Sequence, residues 1–418
     1  MNITGIIAEY NPFHNGHAYQ LELARKETNA DYVVVVMSGN FVQRGAPALL
    51  DKYTRTKMAL SEGADLVIEL PALWACASAE YFAGAGIALL NQLGCVTALC
   101  YGCETPSSDV FTNICHLLNH ESSLYQRLLT AGLKSGSSYA FARQTALLEL
   151  LPEEDRDTAR RILTHPNNIL ALEYQKALAN TASAIRVHPV ARQGQSYHST
   201  QLDTPLASAT AIRNCLAGRG NQDYDDKLIQ NAMPDLAYQL LKEYQKNAPL
   251  LYENDCSQLL HYSLLTHAAD GFCGFADCTQ ELSNKIVNHL HTYTNFTDFC
   301  MQLKTKDFAY TRISRVFLHI LLQIRQEDYA FWRSRSYVPY ARVLGFRKAS
   351  QALLSQIKQH TSIPLLTRAA DARKILASAD VRKFYDQNAF ADAVYRVVLL
   401  EKSGRTAIPD FGQQIVIV

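Results

Sequence analysis

The segment Tyr10-Asn11-Pro12-Phe13-His14-Asn15-Gly16-His17-Ala18 gathers two imidazoles around a glycine. It follows the apolar run Ile3–Ala8, which reads as a buried strand, and opens a helix-patterned stretch, Gly16–Glu27. Three properties suit this arrangement to a nucleoside triphosphate. Gly16 has no Cβ, so a ligand can come close to the backbone. The first turn of a helix offers unpaired N–H groups and the positive end of its dipole, which attract phosphate. Imidazoles at that turn can donate to phosphate oxygens as charge develops at the α-phosphorus. The chemistry indicated is on ATP. Two other readings stand beside it. His14 and His17, three apart on one helical face, could ligate a metal, although no third ligand is evident nearby. They could also be surface histidines on an ordinary capping turn.

Such residues need a scaffold, and the flanking pattern describes one. Apolar β-branched runs at Ile3–Ala8, Tyr32–Met37, Leu66–Leu70 and Ala98–Tyr101 alternate with helical patterns at Gly16–Glu27, Lys52–Glu62 and Ala77–Leu93. This alternation predicts an α/β, Rossmann-like parallel sheet with helices on both faces. Ligands of such sheets bind beyond the carboxyl ends of the strands, at the switch point. Tyr10–His17, Ser38–Gly45 and Gly102–Glu104 all follow strands and should converge there. Ser107–Leu151 and Pro166–Ala179 read as helical, and Ala184–Val190 as a fifth strand ending near Arg192. A polar loop, Gln193–Pro205, leads into Ser208-Ala209-Thr210-Ala211-Ile212-Arg213. The polar, glycine-rich stretch beginning at Gly218 reads as a boundary. A catalytic domain over 1–217 and a mainly α-helical domain over 218–418 are therefore expected. In the second, Tyr238–Gln245, Ser257–His267, Gln280–His291, Arg312–Gln326 and Ala369–Leu376 are the clearest helical stretches, and a short apolar Ile415–Val418 closes the chain.

The 418 residues are long enough for more than one core, and 48% hydrophobic with 19% charged residues is ordinary for globular domains. A net charge of +1 neither advertises nor excludes nucleic-acid binding, because a local patch can hide in a neutral total. Residues 301–350 hold ten Lys or Arg against three acids, interleaved with Tyr310, Phe331, Trp332, Tyr337 and Tyr340. Cations over phosphates and aromatics under unstacked bases hold single-stranded RNA loops. The same residues also describe a solvated helix face with core aromatics. Ten cysteines without framework spacing, and no hydrophobic leader, indicate a reducing, cytoplasmic setting. Cys100 and Cys103 form a C-x-x-C but lack partners for redox or zinc work and read as buried small residues. No apolar run reaches membrane-spanning length.

An ordered set of motifs carries a resemblance to a known family. It comprises Glu9-Tyr10-Asn11-Pro12-Phe13-His14-Asn15-Gly16-His17, Met37-Ser38-Gly39-Asn40-Phe41-Val42-Gln43-Arg44-Gly45, Lys52, Arg55–Ala59, Asp65–Pro71, Pro166–Leu170 and Arg342–Phe346. The chain resembles the HxGH nucleotidylyltransferases, relatives of class I tRNA synthetase catalytic domains, and among them the tRNA(Met) cytidine acetate ligase family. That family uses ATP and acetate to acetylate N4 of the wobble cytidine of elongator tRNA(Met). The resemblance implies that acetate is activated as acetyl-adenylate, with Mg²⁺ on the pyrophosphate and with tRNA and acetate as the partners. It implies no protein partner and no protein metal ligands. It implies catalytic roles for His14, His17 and Lys52, with Arg44 as a further phosphate or acetate contact. Nucleotide contacts are implied at Ile7, Ala8, Glu9, Tyr10, Asn11, Pro12, Phe13, His14, Asn15, Gly16, His17, Ala18, Tyr19, Gln20, Gly102, Asn167 and Arg192. Asn167 could instead cap its helix. Nucleotidylyltransferases also carry a Ser-Ser-Thr-x-Ile-Arg turn that holds the leaving phosphates; here Ala209 replaces the second serine, and Ser208 and Thr210 could be plain caps. The same fold would also serve a small-molecule adenylyltransferase or a non-catalytic nucleotide- or RNA-binding protein.

Overall fold

The structure, a computed structural model, describes residues 1–106, 108–135, 139–192, 206–218 and 225–418. The loop expected at 193–205 and most of the boundary beginning at Gly218 lie outside the described residues. The first hundred residues alternate as the pattern predicts: β1 (Ile3–Ala8), α1 (Asn15–Glu27), β2 (Tyr32–Ser38), a hairpin of β3 (Phe41–Val42) and β4 (Ala46–Pro47), and α2 (Lys52–Ser61). They continue with β5 (Leu66–Leu70), α3 (Ala72–Ala75), α4 (Ala79–Gln92) and β6 (Ala98–Cys103). The stretch after it divides into α5 (Asp109–Asn119), α6 (Ser123–Lys134), α7 (Tyr139–Leu150) and α8 (Arg156–Thr164) before α9 (Pro166–Asn180), β7 (Arg186–Ala191) and α10 (Ala209–Leu216). Strands β5, β2, β1, β6 and β7 lie side by side in that order, all parallel. Their central members are buried on both faces, which is why Val33–Met37 is an unbroken apolar run rather than an alternating one.

The second half is mostly helical and also adds strands to the N-terminal sheet. It runs through α11 (Asp226–Ala232), α12 (Asp235–Asn247), α13 (Ser257–His267), α14 (Gln280–His289), α15 (Phe296–Leu303), α16 (Tyr310–Leu321) and α17 (Gln326–Arg333). The chain then enters β8 (Ala341–Phe346), which pairs antiparallel with β5 and extends the N-terminal sheet. After α18 (Gln351–His360), β9 (Leu365–Leu366), α19 (Ala372–Ile375) and the 25-residue α20 (Ala379–Ser403), β10 (Val416–Ile417) adds to β8 in parallel. The sheet therefore draws strands from both sides of position 217/218. Gly345 is required for this insertion: a Cβ there would lie 2.7 Å from Thr56 Cγ2 on α2. The helix expected over Arg312–Gln326 is broken between α16 and α17, where Gln323 takes φ +57°.

Two buried cations on α2 fasten these layers. The Arg55 guanidinium donates to the carbonyls of Glu9 (2.7 Å), Ser38 (3.0 Å), Leu50 (3.0 Å) and Gly39, gathering the carboxyl ends of β1 and β2. One turn earlier, the Lys52 ammonium, 1% exposed, meets Glu69 of β5 (3.0 Å), Asp392 of α20 (2.6 Å) and Asp410 (2.9 Å). Burial alone would lower the Lys52 pKa; the three carboxylates outweigh it and hold the ammonium charged. Tyr53 donates to Asp410 (2.5 Å), and Arg342 of β8 stands 3.7 Å from the same carboxylate. Removing one member of such a network strands the others without a counter-charge. Lys52→Met is accordingly expected to lower unfolding stability by about 3 kcal/mol or more, read from chemical denaturation.

Candidate active site

The carboxyl ends of β1 and β6 and the β3–β4 turn open into one cleft, bordered by α9 and α10. Its lining includes Ile7, Ala8, Glu9, Tyr10, Asn11, His14, His17 and Gln20 from the first motif, with Gly102, Asn167, Arg192, Ser208, Thr210 and Arg213 from the later ones. A small adjoining cavity takes in Gly16 and Tyr19. Pro12, Phe13, Asn15 and Ala18 line neither. Phe13 is fully buried, packed edge-on to Tyr10 at 4.9 Å between centroids, and Asn15 donates to the Asn231 carbonyl at 2.8 Å. These residues shape the turn from behind. Tyr10 itself takes φ +50°, so the strand-to-helix turn stores some backbone strain at the cleft.

His14 is the N-cap of α1. Its Nδ1 accepts the Gly16 N–H at 3.1 Å, and His17 Nδ1 accepts the His14 N–H at 3.3 Å. The two rings lie 3.7 Å apart between centroids. An Nδ1 that accepts a backbone N–H cannot carry a proton, so each neutral ring carries its hydrogen on Nε2. Burial pushes His14 down to about 3, helped by the Arg192 and Arg213 cations; burial, His14 and Arg192 push His17 well below its ordinary value. Both are neutral donors at pH 7. The glycine between them is needed by the histidine as much as by a ligand: a Cβ on Gly16 would lie 2.9 Å from His14 Cε1.

Arginines supply the charge. Arg213 donates to the Asn11 carbonyl (2.6 Å) and to Thr210 Oγ1 (3.0 Å), which aims it across the cleft. Arg44, from the β3–β4 turn, has its pKa drawn down to about 10 by burial and then by Arg213. Three guanidiniums, at positions 44, 192 and 213, thus face a cleft in which Glu9 is the only carboxylate among the described lining residues. Such a field calls for an anion. Ser208 does cap α10, accepting the Ala211 N–H at 3.1 Å, while still lining the cleft. Asn167 is not the cap of α9, a place taken by His165; its side chain donates to Glu104 at 2.6 Å. Asn168, fully buried, accepts from the Glu104 N–H (2.9 Å), the Thr105 N–H (3.3 Å) and Cys103 Sγ (3.1 Å), and so sets the turn after β6.

The structure corrects two expectations. Lys52 does not line the cleft: its ammonium is enclosed by Glu69, Asp392 and Asp410, and no donor is left for phosphate or acetate. In the basic stretch, Trp332 and Tyr340 are core residues packed on Phe384 at 4.8 and 5.9 Å, and Arg342 is only 3% exposed. None of the three can meet RNA bases or phosphates as placed. Lys304, Lys306, Arg333, Arg335 and Lys348 are the exposed cations there. Sequence reasoning passed over the apolar wall of Phe82, Tyr101, Leu170 and Tyr174. These read as core positions of a strand and two helices, and their spacing carries no signal of a ligand. Cys100 and Cys103 are both buried, and no group of three or more His, Cys, Asp or Glu that could hold a metal occurs among the described residues. No helix among them is long and apolar enough to cross a membrane.

Comparison with known proteins agrees with this geometry. The HIGH Nucleotidyl Transferase family model matches residues 1–407. A tRNA(Met) cytidine acetate ligase from Clostridium novyi (strain NT) is 35% identical over 385 residues, 92% of this chain and 94% of its own length. Its counterpart from Acetivibrio thermocellus is 34% identical over 419 residues, 100% of both chains. This chain belongs to the tRNA(Met) cytidine acetate ligase family. The crystal structure of Thermotoga maritima TmcAL without ligand superposes with a TM-score of 0.93 at 27% identity over 100% of both chains. The same Thermotoga protein bound with alpha-thio ATP gives 0.91, again at 27% identity and full coverage. The family assignment thus extends over the helical second half as well as the HxGH half.

The histidines make the free protein sensitive to acid. Both fold with pKa values depressed below 6.5, so the unfolded chain binds the extra protons as pH falls. Their contribution is complete above pH 6.5 and is lost progressively as pH falls below it, for His14 down to about 3. His14→Gln is expected to flatten the decline of the urea midpoint between about pH 7 and pH 5, measured without nucleotide.

Proposed function

We infer that this protein is an ATP-dependent ligase that joins acetate to N4 of a cytidine in tRNA(Met) through an acetyl-adenylate. The observation that carries this reading is the pair of neutral Nε2–H donors, His14 and His17, facing the same cleft as three arginines. An acetate oxygen attacks the α-phosphorus of ATP and pyrophosphate leaves. N4 of the wobble cytidine of elongator tRNA(Met) then attacks the acetyl carbonyl, and AMP departs. Phosphoryl transfer asks the protein chiefly for positioning and charge stabilisation. His14 and His17 donate to the phosphate oxygens, the first turn of α1 cradles them, and Arg44, Arg192 and Arg213 neutralise the chain of charges. Gly102 and Asn167 border the nucleoside. Mg²⁺, when bound, neutralises the pyrophosphate. With no three-ligand cage among the described residues it would be carried mainly by phosphate oxygens and water. No cysteine is needed for an acyl intermediate. A cytoplasmic setting, where ATP, acetate and tRNA meet, accords with ten cysteines none of which is paired in a disulfide.

The direct test is incubation with ATP, labelled acetate and tRNA, followed by nucleoside mass spectrometry. N4-acetylcytidine should form only when all three are present. ATP consumption without a tRNA product would instead point to a small-molecule adenylyltransferase. His14→Ala and His17→Ala should each slow acetate-dependent ATP–pyrophosphate exchange by about 100-fold or more, the usual effect of losing one preorganised donor. On the RNA side, joint replacement of exposed Lys304, Lys306 and Arg335 by Ala should weaken tRNA binding. It should also flatten the slope of log affinity against log salt by about 0.7 for each phosphate that is no longer neutralised.

A further inference from the structure

Glu9 is a misfit in an anion-binding cleft. It directly follows β1, half-buried, with its carbonyl held by Arg55 at 2.7 Å and one carboxylate oxygen accepting the Gln43 N–H at 2.8 Å. Its carboxylate is therefore fixed in place before any ligand arrives. ATP and acetate are both anions, and a fixed carboxylate beside them repels both. What it attracts is a cation or an N–H donor. The reaction brings two exocyclic amines to this protein, that of adenine and that of cytosine. Glu9 is tied to Gln43 on the β2 flank of β1, whereas Gly102, Asn167 and Arg192 stand on the β6 flank. The same cleft also has a face for a flat ring: Phe82 of α4 and Tyr174 of α9 line it, Tyr174 lying 5.6 Å from Tyr101 of β6 between ring centroids, and the Tyr174 hydroxyl is buried with no hydrogen-bond partner. The Tyr174 phenol is pushed up by burial and then by the Glu9 charge.

We propose that Glu9 is the residue that receives the cytidine: its carboxylate accepts the N4 hydrogen bond and then takes the N4 proton in the acetyl-transfer step, while Tyr174 and Phe82 hold the unstacked ring. A carboxylate accepting from cytosine N4 is the standard match of that base edge, and it rejects uridine, which offers an acceptor there. Aromatic side chains bind unstacked bases by their faces. The step balances. N4 forms a bond to the acetyl carbon and the carbon–oxygen bond to the phosphate breaks. AMP leaves with the bonding pair, and the proton released by N4 goes to the free oxygen lone pairs of Glu9 and from there to water. This inference rests on the ligase reading and adds the acceptor side of the same site.

Glu9→Gln keeps the oxygen that accepts the Gln43 N–H and removes the proton acceptor. Two rates are compared in wild type and variant: acetate-dependent ATP–pyrophosphate exchange, and single-turnover consumption of preformed enzyme-bound acetyl-adenylate on adding tRNA. The ratio of transfer to adenylation should fall by about 100-fold, the usual size of a general-base effect. Transfer should be lost in E9Q and partly restored in Glu9→Asp, which returns a carboxylate acceptor and also covers the case of a poorly folded E9Q. An unchanged ratio overturns the proposal, including the outcome in which both rates fall together with a shifted Mg²⁺ dependence or a raised KM for ATP, as a metal or adenine contact would give. If wild type itself makes no N4-acetylcytidine, the ligase reading fails. If wild type is active and the ratio holds, only the role of Glu9 fails.

Discussion

One desolvated guanidinium organises the reactive end of this molecule. Arg55 is completely buried and its hydrogen bonds go to backbone carbonyls: Glu9, Ser38, Gly39 and Leu50. Burying a cation this way is costly unless its donors are met. Carbonyls at the ends of two parallel strands meet that need because they point out of the sheet at the switch point, where the ladder no longer uses them. The arginine thereby fixes the backbone on either side of the cleft floor, and Glu9 and Gln43 inherit their positions from it. Lys52, three residues earlier on the same helix, does the equivalent for β5, α20 and the turn at Asp410. A single short helix thus couples the site to the distant half of the chain.

The site follows an opposite electrostatic rule. There, three arginines gather around one cleft: burial and then Arg213 draw Arg44 down, while burial first and the neighbouring cations second keep the two histidines neutral. A neutral imidazole with its Nδ1 already engaged has one hydrogen to give, directed away from the helix. Preorganised donors of this kind need little rearrangement when charge develops on phosphate. The free protein bears the electrostatic cost in advance, and an incoming triphosphate relieves it.

Much of this was legible in the residues. The βαβ alternation placed five parallel strands within one or two residues of their observed limits, most clearly the inner ones, because strands buried on both faces are continuous apolar runs. The convergence of Tyr10–His17, Ser38–Gly45 and Gly102–Glu104 followed from topology alone. Other features were hidden for identifiable reasons. Strand β8 is a single short segment whose partner, β5, lies far away in sequence, so no local periodicity marks it. Helix α20 buries Asn388 and Asp392 on the face that should read apolar, which interrupts its stripe. Lys52 has the residue type and the position of a phosphate ligand, and only the three-dimensional arrival of Asp392 and Asp410 shows that it is structural. Trp332 and Tyr340 were ambiguous between base-stacking and core, and packing on Phe384 decided for the core.

The insertion of β8 also has a meaning in time. Ile68 of β5 finds its partner in Val343, roughly 270 residues later. At about 5–20 residues per second of synthesis, the outer edge of β5 stays unpaired on the ribosome for on the order of ten seconds to a minute. An open, apolar strand edge is a template for wrong pairing. The nascent chain must pass this interval with Glu69 also lacking two of the carboxylates that will share Lys52. Completion of the N-terminal sheet thus waits on a strand made near the end of synthesis, and the nascent chain carries this open edge until β8 emerges.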